Sequence, residues 1–441
     1  MNFKSIVLSA SVLMVGGALA AVASISDVTV ENGWPWQGQV KFAFTVGAGD
    51  QVDIGLSATW DGQPTPVDLV EAGVVSDFDP FNCREGRHEG VLNLAKIGEL
   101  GTQLKNFKLS VTPYAKADRM FLYVDIVNGT NCWYKDAITD SATIRSAAYM
   151  QNGILFRRVL GGPSGTYTNG LPSAVRTGVK LCDNPANAPQ TINANDPQPV
   201  GFSSDYFISV TLITCAQCGK LGVNTGTSFT AQGITYENLR GMTNKVGETG
   251  TDIRWPASGF YVKPGSGIDK IRAKIGPQLP GGWVIDVPTF TQNEIAARNG
   301  DWQHVWWNGG DQPCSAETLT NLCNASSAWR YHNYASHPGD FPAGNDNTPG
   351  QLGPNNWGIW EPNGINWMQS LDNANTTASF YTGLDPVGSP TWTANVKCTA
   401  CNANWGMLPT VPSRSYSNAR TTGGNFRLVL NTTNWPNKPL K

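Results

Sequence analysis

Two pairs of cysteines share one spacing, Cys215 with Cys218 and Cys398 with Cys401. Thiols three residues apart can form a redox couple, contribute to a four-sulfur zinc site, or close as a disulfide. The first pair follows a strand-like run at the start of a helical segment, as in thioredoxin-type couples, but no βαβ pattern or proline partner segment accompanies it. Nine cysteines occur in all, so a monomer keeps at least one thiol outside any set of disulfides. Disulfide closure is the expectation for the two spaced pairs, each local or to another pair. Cys314 and Cys323 would staple one loop, Cys83 and Cys132 the N-terminal block, and Cys182 is the odd thiol.

Hard oxygen donors gather in the later loops. Asp311, Asp340 and Asp346, with Asp301 and Asn345 near them, offer a ligand set for Ca²⁺. His304, His332 and His337 border the same loops without Asp or Glu partners at ligand spacing, and read as polar packing. His88 ends the polar run that starts at Cys83 and reads as a solvated loop residue. No Ser-His-Asp order, phosphate-binding loop or supported carboxylate pair is found.

Tryptophans 302, 306, 307, 357, 360, 367, 392 and 405 lie among Asn, Gly and Ser. Large rings set in small polar residues suit ligand recognition. Core packing claims most of them, which leaves a binding face of Trp360, Trp392 and Trp405 with Asn395, Asn402, Asn404, Ser415, Ser417 and Asn418.

These residues must be held by short strands and long loops. The 441 residues include 48 Gly and 28 Pro, a turn-rich composition that excludes an all-helical fold. With 31 basic against 33 acidic side chains, charge points to no nucleic-acid or anionic-membrane partner. Lys4, the apolar run from Ile6 to Val22 and the small residues at its end form a signal-peptide pattern over residues 1–23. The expectation is a secreted, periplasmic or cell-surface protein with no membrane span after cleavage.

From 24 to 145 the pattern is β. Val40, Phe42, Phe44 and Val46 alternate with polar or small residues, as do Val52, Ile54 and Leu56, and Phe107, Leu109 and Val111; Phe121 to Val127 reads as a more buried strand. An antiparallel β-sandwich is expected there. The block 146–432 carries short strands, few short helices and long loops, followed by a tail at 433–441, so the fold class is α+β and β-rich. Two helices announce themselves: Thr214 with Gln217 and Thr289 with Gln292 have capping-box spacing, and Asn299-Gly300 is a stop signal.

In order, the segments Phe156 to Gly162, Ser204 to Gln217, Ile234 to Gly241, Val287 to Arg298, Trp306 to Asp311, Pro354 to Gly364, and Arg414 to Arg420 with Gly424 to Val429 resemble the signature segments of the formylglycine-generating enzyme family, the sulfatase-modifying factor domains. The last match carries Asn425 as an insertion. The resemblance implies an irregular C-type-lectin-like domain over most of the second block. It also implies an oxidase that converts a sulfatase cysteine to formylglycine with copper(I) held by two thiolates. Here Cys398 and Cys401 fall ahead of the family's copper-ligand stretch, Met368 takes a family Glu position and Leu212 takes another. The expectation is therefore an exported, non-catalytic ligand-binding or surface-assembly protein, with a protein, peptide or glycan as ligand and self-assembly as a further option. The alternatives are the copper-dependent oxidase, with Cys398 and Cys401 as its catalytic pair, and a diversity-generated display protein whose variable face holds Asn395 to Asn418.

Overall fold

A computed structural model describes residues 23–32, 39–70, 72, 75–76, 79–81, 83–97, 105–161, 166–172, 197–202, 204–223, 234–239, 262, 264–280, 283–301, 304–307, 310–313, 350, 353–360, 368–369, 400–402, 413–415 and 423–432. The chain forms two compact units. Unit 1 is built from residues up to Met120 with Trp133–Lys135 and Gly276–Trp283, and unit 2 from Phe121–Cys132, Asp136–Ile275 and Val284 onward.

In unit 1, β1 (Ile25–Asn32), β2 (Gln39–Trp60), β3 (Gln63–Asp68), β4 (Val75–Ser76), β5 (Cys83–Asn93) and β6 (Lys108–Ala115) make one antiparallel sheet. β2 pairs with β1, β3, β5 and β6, and β4 pairs with β5. The two strands expected at 40–46 and 52–56 are one strand. The register against β5 shifts between Val46 and Gln51, so Gly47, Ala48 and Gly49 form an irregularity rather than a turn. Around this bend the sheet curls into a half-barrel, in place of the two facing layers expected. Phe42, Phe44, Val46, Val52, Ile54 and Leu56 are all buried in it. The polar run Cys83 to His88, expected as a loop, belongs to β5, and His88 pairs in register with Phe44 and stacks on its ring at 5.4 Å.

Unit 2 contains β7 (Phe121–Asp125), the first two residues of β8 (Asn131–Tyr134), β9 (Gly153–Val159), the pair β10 (Thr166–Pro172) and β11 (Pro197–Gly201), then β12 (Tyr206–Ser209), β13 (Ile234–Thr235) and β14 (Val284–Asp286). The pair β15 (His304–Trp307) and β16 (Gly310–Pro313) follows, then β17 (Met368–Gln369), β18 (Ala400–Asn402), β19 (Ser413–Ser415), β20 (Gly423–Phe426) and β21 (Val429–Asn431). The main sheet has the order β14-β21-β12-β9-β7-β8, and a smaller one the order β13-β20-β17-β18-β19. β7, expected in the N-terminal domain, pairs antiparallel with β9 instead, from Phe121 opposite Arg157 to Asp125 opposite Gly153. Helices are short: α1 (Ser141–Ile144), α2 (Cys215–Lys220), α3 (Tyr236–Leu239), α4 (Gly267–Ile275) and α5 (Phe290–Ala297). No helix among the described residues is long and apolar enough to cross a membrane.

Both expected capping boxes form. Thr214 Oγ1 accepts the Gln217 amide and Gln217 Oε1 accepts the Thr214 amide at 2.8 Å; Thr289 and Gln292 repeat the exchange before α5. α5 ends where expected: Asn299 is left-handed (φ 55) and the Gly300 amide reaches back to the Ile295 carbonyl, a Schellman closure.

Two buried arginines hold the core of unit 2. Arg158 pairs with Asp205, both side chains fully buried, and the other Asp205 oxygen accepts the Gly161 amide at 2.7 Å. A Cβ at Gly161 would fall on the Ser204 carbonyl carbon, so only glycine permits this approach. Arg427 donates to the carbonyls of Ser209 and Val210, both at 2.9 Å, and of Trp360 at 2.7 Å. It thereby ties the C-terminal segment to β12 and to the loop 353–360.

Candidate functional site

β9 carries adjacent arginines, and strand alternation sends them to opposite faces of the sheet. Arg158 stands in register with Phe207 and meets Asp205. Arg157 stands in register with Phe121, and its guanidinium carbon lies 5.1 Å from the Phe121 ring centre and 5.6 Å from that of Trp357. Trp357 in turn faces Tyr167 of β10, with centroids 5.9 Å apart and rings tilted by 56°. Arg157, Tyr167 and Trp357 are half-buried, whereas Phe202 and Tyr206, which continue the aromatic column behind Tyr167, are buried. The cluster therefore presents two rings and a guanidinium at the edge of the core.

Its placement is rigid for identifiable reasons. Asn355 is buried, and its Nδ2 donates to the carbonyls of Ala296 and Ala297, which the end of α5 leaves without helical partners. Its Oδ1 accepts the Trp357 and Ile359 amides, both at 3.0 Å. The Trp357 amide also reaches Asn299 Oδ1 at 3.0 Å. One asparagine thus fastens the loop to the helix end. Gly300 (φ +77) forms the floor, since a Cβ there would come within 2.5 Å of Tyr167 Cδ1 and 3.2 Å of Trp357 Cη2.

Burial pulls the Arg157 guanidinium down to about 10, with neighbouring Arg158 adding to the fall and Tyr167 opposing it. Arg157 remains a cation at neutral pH. The Tyr167 phenol is pushed up, by burial first and by the Asp205 charge second, so it stays protonated, and it donates to the Leu160 carbonyl at 3.1 Å. Ring faces and a planar cation together can hold an apolar face bearing an oxyanion.

Trp360, expected on the binding face, is a core residue. It is 1% exposed and its indole N–H donates to the Ile138 carbonyl at 2.9 Å. The half-buried member of that motif is Trp357, three residues earlier. Asn402 and Ser415 lie on the paired strands β18 and β19, with Asn402 opposite Ser413 and Ser415 opposite Ala400. Cys401 stands opposite Arg414 and Met368, and Asp311 lies on β16 opposite Trp306. Trp392, Asn395, Asn404, Trp405, Ser417, Asn418, Asp340, Asp346, Cys314, Cys323 and Cys398 lie outside the described residues, as do Cys182 and the signal segment through residue 22. Among the described residues, no group of three or more His, Cys, Asp or Glu is arranged to hold a metal ion.

The described cysteines Cys83, Cys132, Cys215 and Cys218 are free thiols, which departs from the disulfides expected of them. Cys83 is fully buried, its Sγ 3.3 Å from the Asp79 carbonyl, whereas Cys132 is exposed. Burial pushes Cys215 up to about 11 and Cys218 up to about 12. That is opposite to the lowered pKa of a thioredoxin-type nucleophile.

Arg157 and Tyr167 escaped notice in the sequence because they sit ten residues apart, with a glycine-rich turn sequence between them. The available signal was the pair of arginines inside the otherwise apolar run Gly153–Val159. Compared with protein-family models, with curated proteins and with solved structures, the chain matches none of them.

Proposed function

We propose that the chain is an exported, non-catalytic ligand-binding or surface-assembly protein on a scaffold like that of the formylglycine-generating enzymes, and that it binds through the Tyr167 and Trp357 rings. The observation that carries this reading is the half-buried pair of rings held over Gly300 by Asn299 and Asn355. Such preorganised aromatic surface loses little conformational freedom when a ligand arrives.

The scaffold reading is supported by contacts among the segments that carry the resemblance. Asn355 from Pro354 to Gly364 caps α5 from Val287 to Arg298, and Arg427 from Gly424 to Val429 grips the Trp360 carbonyl and two carbonyls of the strand segment Ser204 to Gln217. An irregular C-type-lectin-like domain requires long-range closures of this kind. Leu212, at a family glutamate position, is buried and apolar, which favours a chain that keeps the frame without the oxidase chemistry.

The test is to screen the chain lacking residues 1–23 on peptide and glycan arrays beside its Trp357→Ala variant, with Cu(I) titration and oxygen uptake on a Cys-x-Pro-x-Arg peptide in parallel. Retention of a ligand that Trp357→Ala weakens at least roughly tenfold is expected. Copper-dependent oxygen uptake with conversion of the peptide cysteine would replace this reading with the oxidase.

A further inference from the structure

We infer that Asn128 is a site of deamidation, in which its side-chain amide becomes a carboxylate through a ring formed with the Gly129 backbone, and that Asp125 holds this reaction back in the folded chain. Asn128 and Gly129 lie in the turn between β7 and β8, where residues 127–130 are all exposed and Val127 is 51% exposed. Gly129 carries no Cβ, so its nitrogen is sterically open to the asparagine side chain.

The Gly129 nitrogen loses its proton and bonds to Asn128 Cγ, and the side-chain nitrogen leaves as ammonia. Water then opens the cyclic imide. Breaking the new N–Cγ bond leaves aspartate, whereas breaking the original peptide bond leaves the chain running through Cγ as isoaspartate. Nothing is oxidised or reduced, and water is the sole co-reactant.

In the folded turn both reacting groups are tied to Asp125. The Gly129 amide donates to the Asp125 carbonyl at 3.1 Å, and Asn128 Nδ2 donates to Asp125 Oδ2 at 2.9 Å. Asp125 Oδ1 accepts the Val127 and Asn128 amides, both at 2.8 Å, which makes an Asx turn. The Asp125 amide closes the loop on the Thr130 carbonyl at 2.9 Å. Ring closure therefore requires the Gly129 nitrogen to leave its carbonyl and the Asn128 amide to leave its carboxylate. Slight burial works to raise the Asp125 carboxyl, but the hydrogen bonds from Asn128 and Val127 bring it below the ordinary carboxylate range. It is an ionised acceptor at neutral pH. Asp125 is itself anchored, standing in register with Gly153 of β9, and the next amide, Ile126, donates to the Asn152 carbonyl at 2.9 Å. The main sheet thus fixes the guard while the reacting step projects into water.

Asn152–Gly153 and Asn299–Gly300 repeat the dipeptide in the described residues, but there the glycine is buried and the asparagine half-buried. Conversion at Asn128 sets a second carboxylate against that of Asp125, and isoaspartate also lengthens the backbone, so the turn does not close again in the same form. The modification would record, in one direction, the time this turn has spent open.

The experiment incubates the purified chain at neutral pH in native buffer and in urea that unfolds it, and follows aspartate and isoaspartate at Asn128, Asn152 and Asn299 by peptide mapping. Conversion at Asn128 is expected to be at least about tenfold slower in native buffer than in urea. Asp125→Ala in native buffer should speed it by about 10- to 100-fold, and Asp125→Asn, which keeps an oxygen acceptor, should fall between. A rise at Asn128 with Asn152 and Asn299 unchanged supports the guard. If all three rise, Asp125→Ala has opened the fold, and the native-against-urea comparison on the unaltered chain decides. Equal rates at Asn128 in native buffer and urea overturn the inference, as does an Asp125→Ala chain that converts Asn128 at the parent rate.

Discussion

Replacing Arg427 with methionine tests the closure on which the candidate site depends. Arg427 is 1% exposed and donates to three carbonyls. Val210 O keeps a second donor, the Trp360 amide at 2.9 Å, so the loss falls on the carbonyls of Ser209 and Trp360. Each buried acceptor that loses its donor costs about 1–3 kcal/mol, and methionine retains most of the aliphatic volume, so little cavity forms. Removing a buried cation relieves its desolvation and offsets part of this, which leaves a destabilisation of about 2–4 kcal/mol. With a urea dependence of roughly 3 kcal/mol per molar, the midpoint for unit 2 should fall by about 1 M. Because the chain has two units, the readout should be local: hydrogen exchange in peptides spanning 206–214 and 426–432 along the urea series. A midpoint within about 0.2 M of the parent would refute the reasoning, since the carbonyls would then have found other donors.

Asp205→Ala leaves the Arg158 guanidinium buried without its counter-ion and should cost about 3–5 kcal/mol by chemical denaturation, with Arg158→Met added to it restoring a large part; a mild single variant contradicts full burial of the pair. Gly300→Ala combines a left-handed backbone with a collision against Tyr167, so a loss of about 1–3 kcal/mol and weaker ligand binding are expected together, and unchanged binding would detach Gly300 from the site. Cys215, raised from 9.0 to about 11, should alkylate about 100-fold more slowly at pH 8 than a model thiol, and alkylation at the model rate would contradict its environment. Cys218 is raised from 9.0 to about 12, so its burial favours the neutral thiol; that contribution is intact below pH 9 and should decline progressively toward pH 12 in urea titrations.

Local signals in the sequence translated well where the chemistry is local. Thr214, Thr289 and the Asn299-Gly300 stop act on atoms within a few residues, and each behaves in the structure as its spacing implies. Non-local partners were harder to read. The apolar run from Phe121 to Val127 reports a more buried strand but not which sheet receives it, and β9 lies about thirty residues further on. The run Cys83 to His88 has no apolar alternation, because its polar side chains sit on an exposed stretch of β5, so nothing marked it as a strand. Trp357 and Trp360 have the same composition around them, and only the turn at Gly358 (φ +78) separates the half-buried ring from the buried one. A site assembled from β9, β10 and the loop 353–360 leaves no single motif to find.

The way β2 serves four partners bears on how unit 1 acquires its fold. β1 and β5 assemble on its first half and β3 and β6 on its second, so nearly all of the strand order is encoded along one 22-residue template. The irregularity between Val46 and Gln51 divides that template, so an early misalignment on one side need not propagate into the other. β1 and β3 close locally on β2 and can form on the microsecond scale of hairpins, whereas β5 and β6 must return across longer loops. The rate-limiting step of folding should therefore be the arrival of β6, and slowing it would prolong the exposure of Val52, Ile54 and Leu56 in the unfinished sheet.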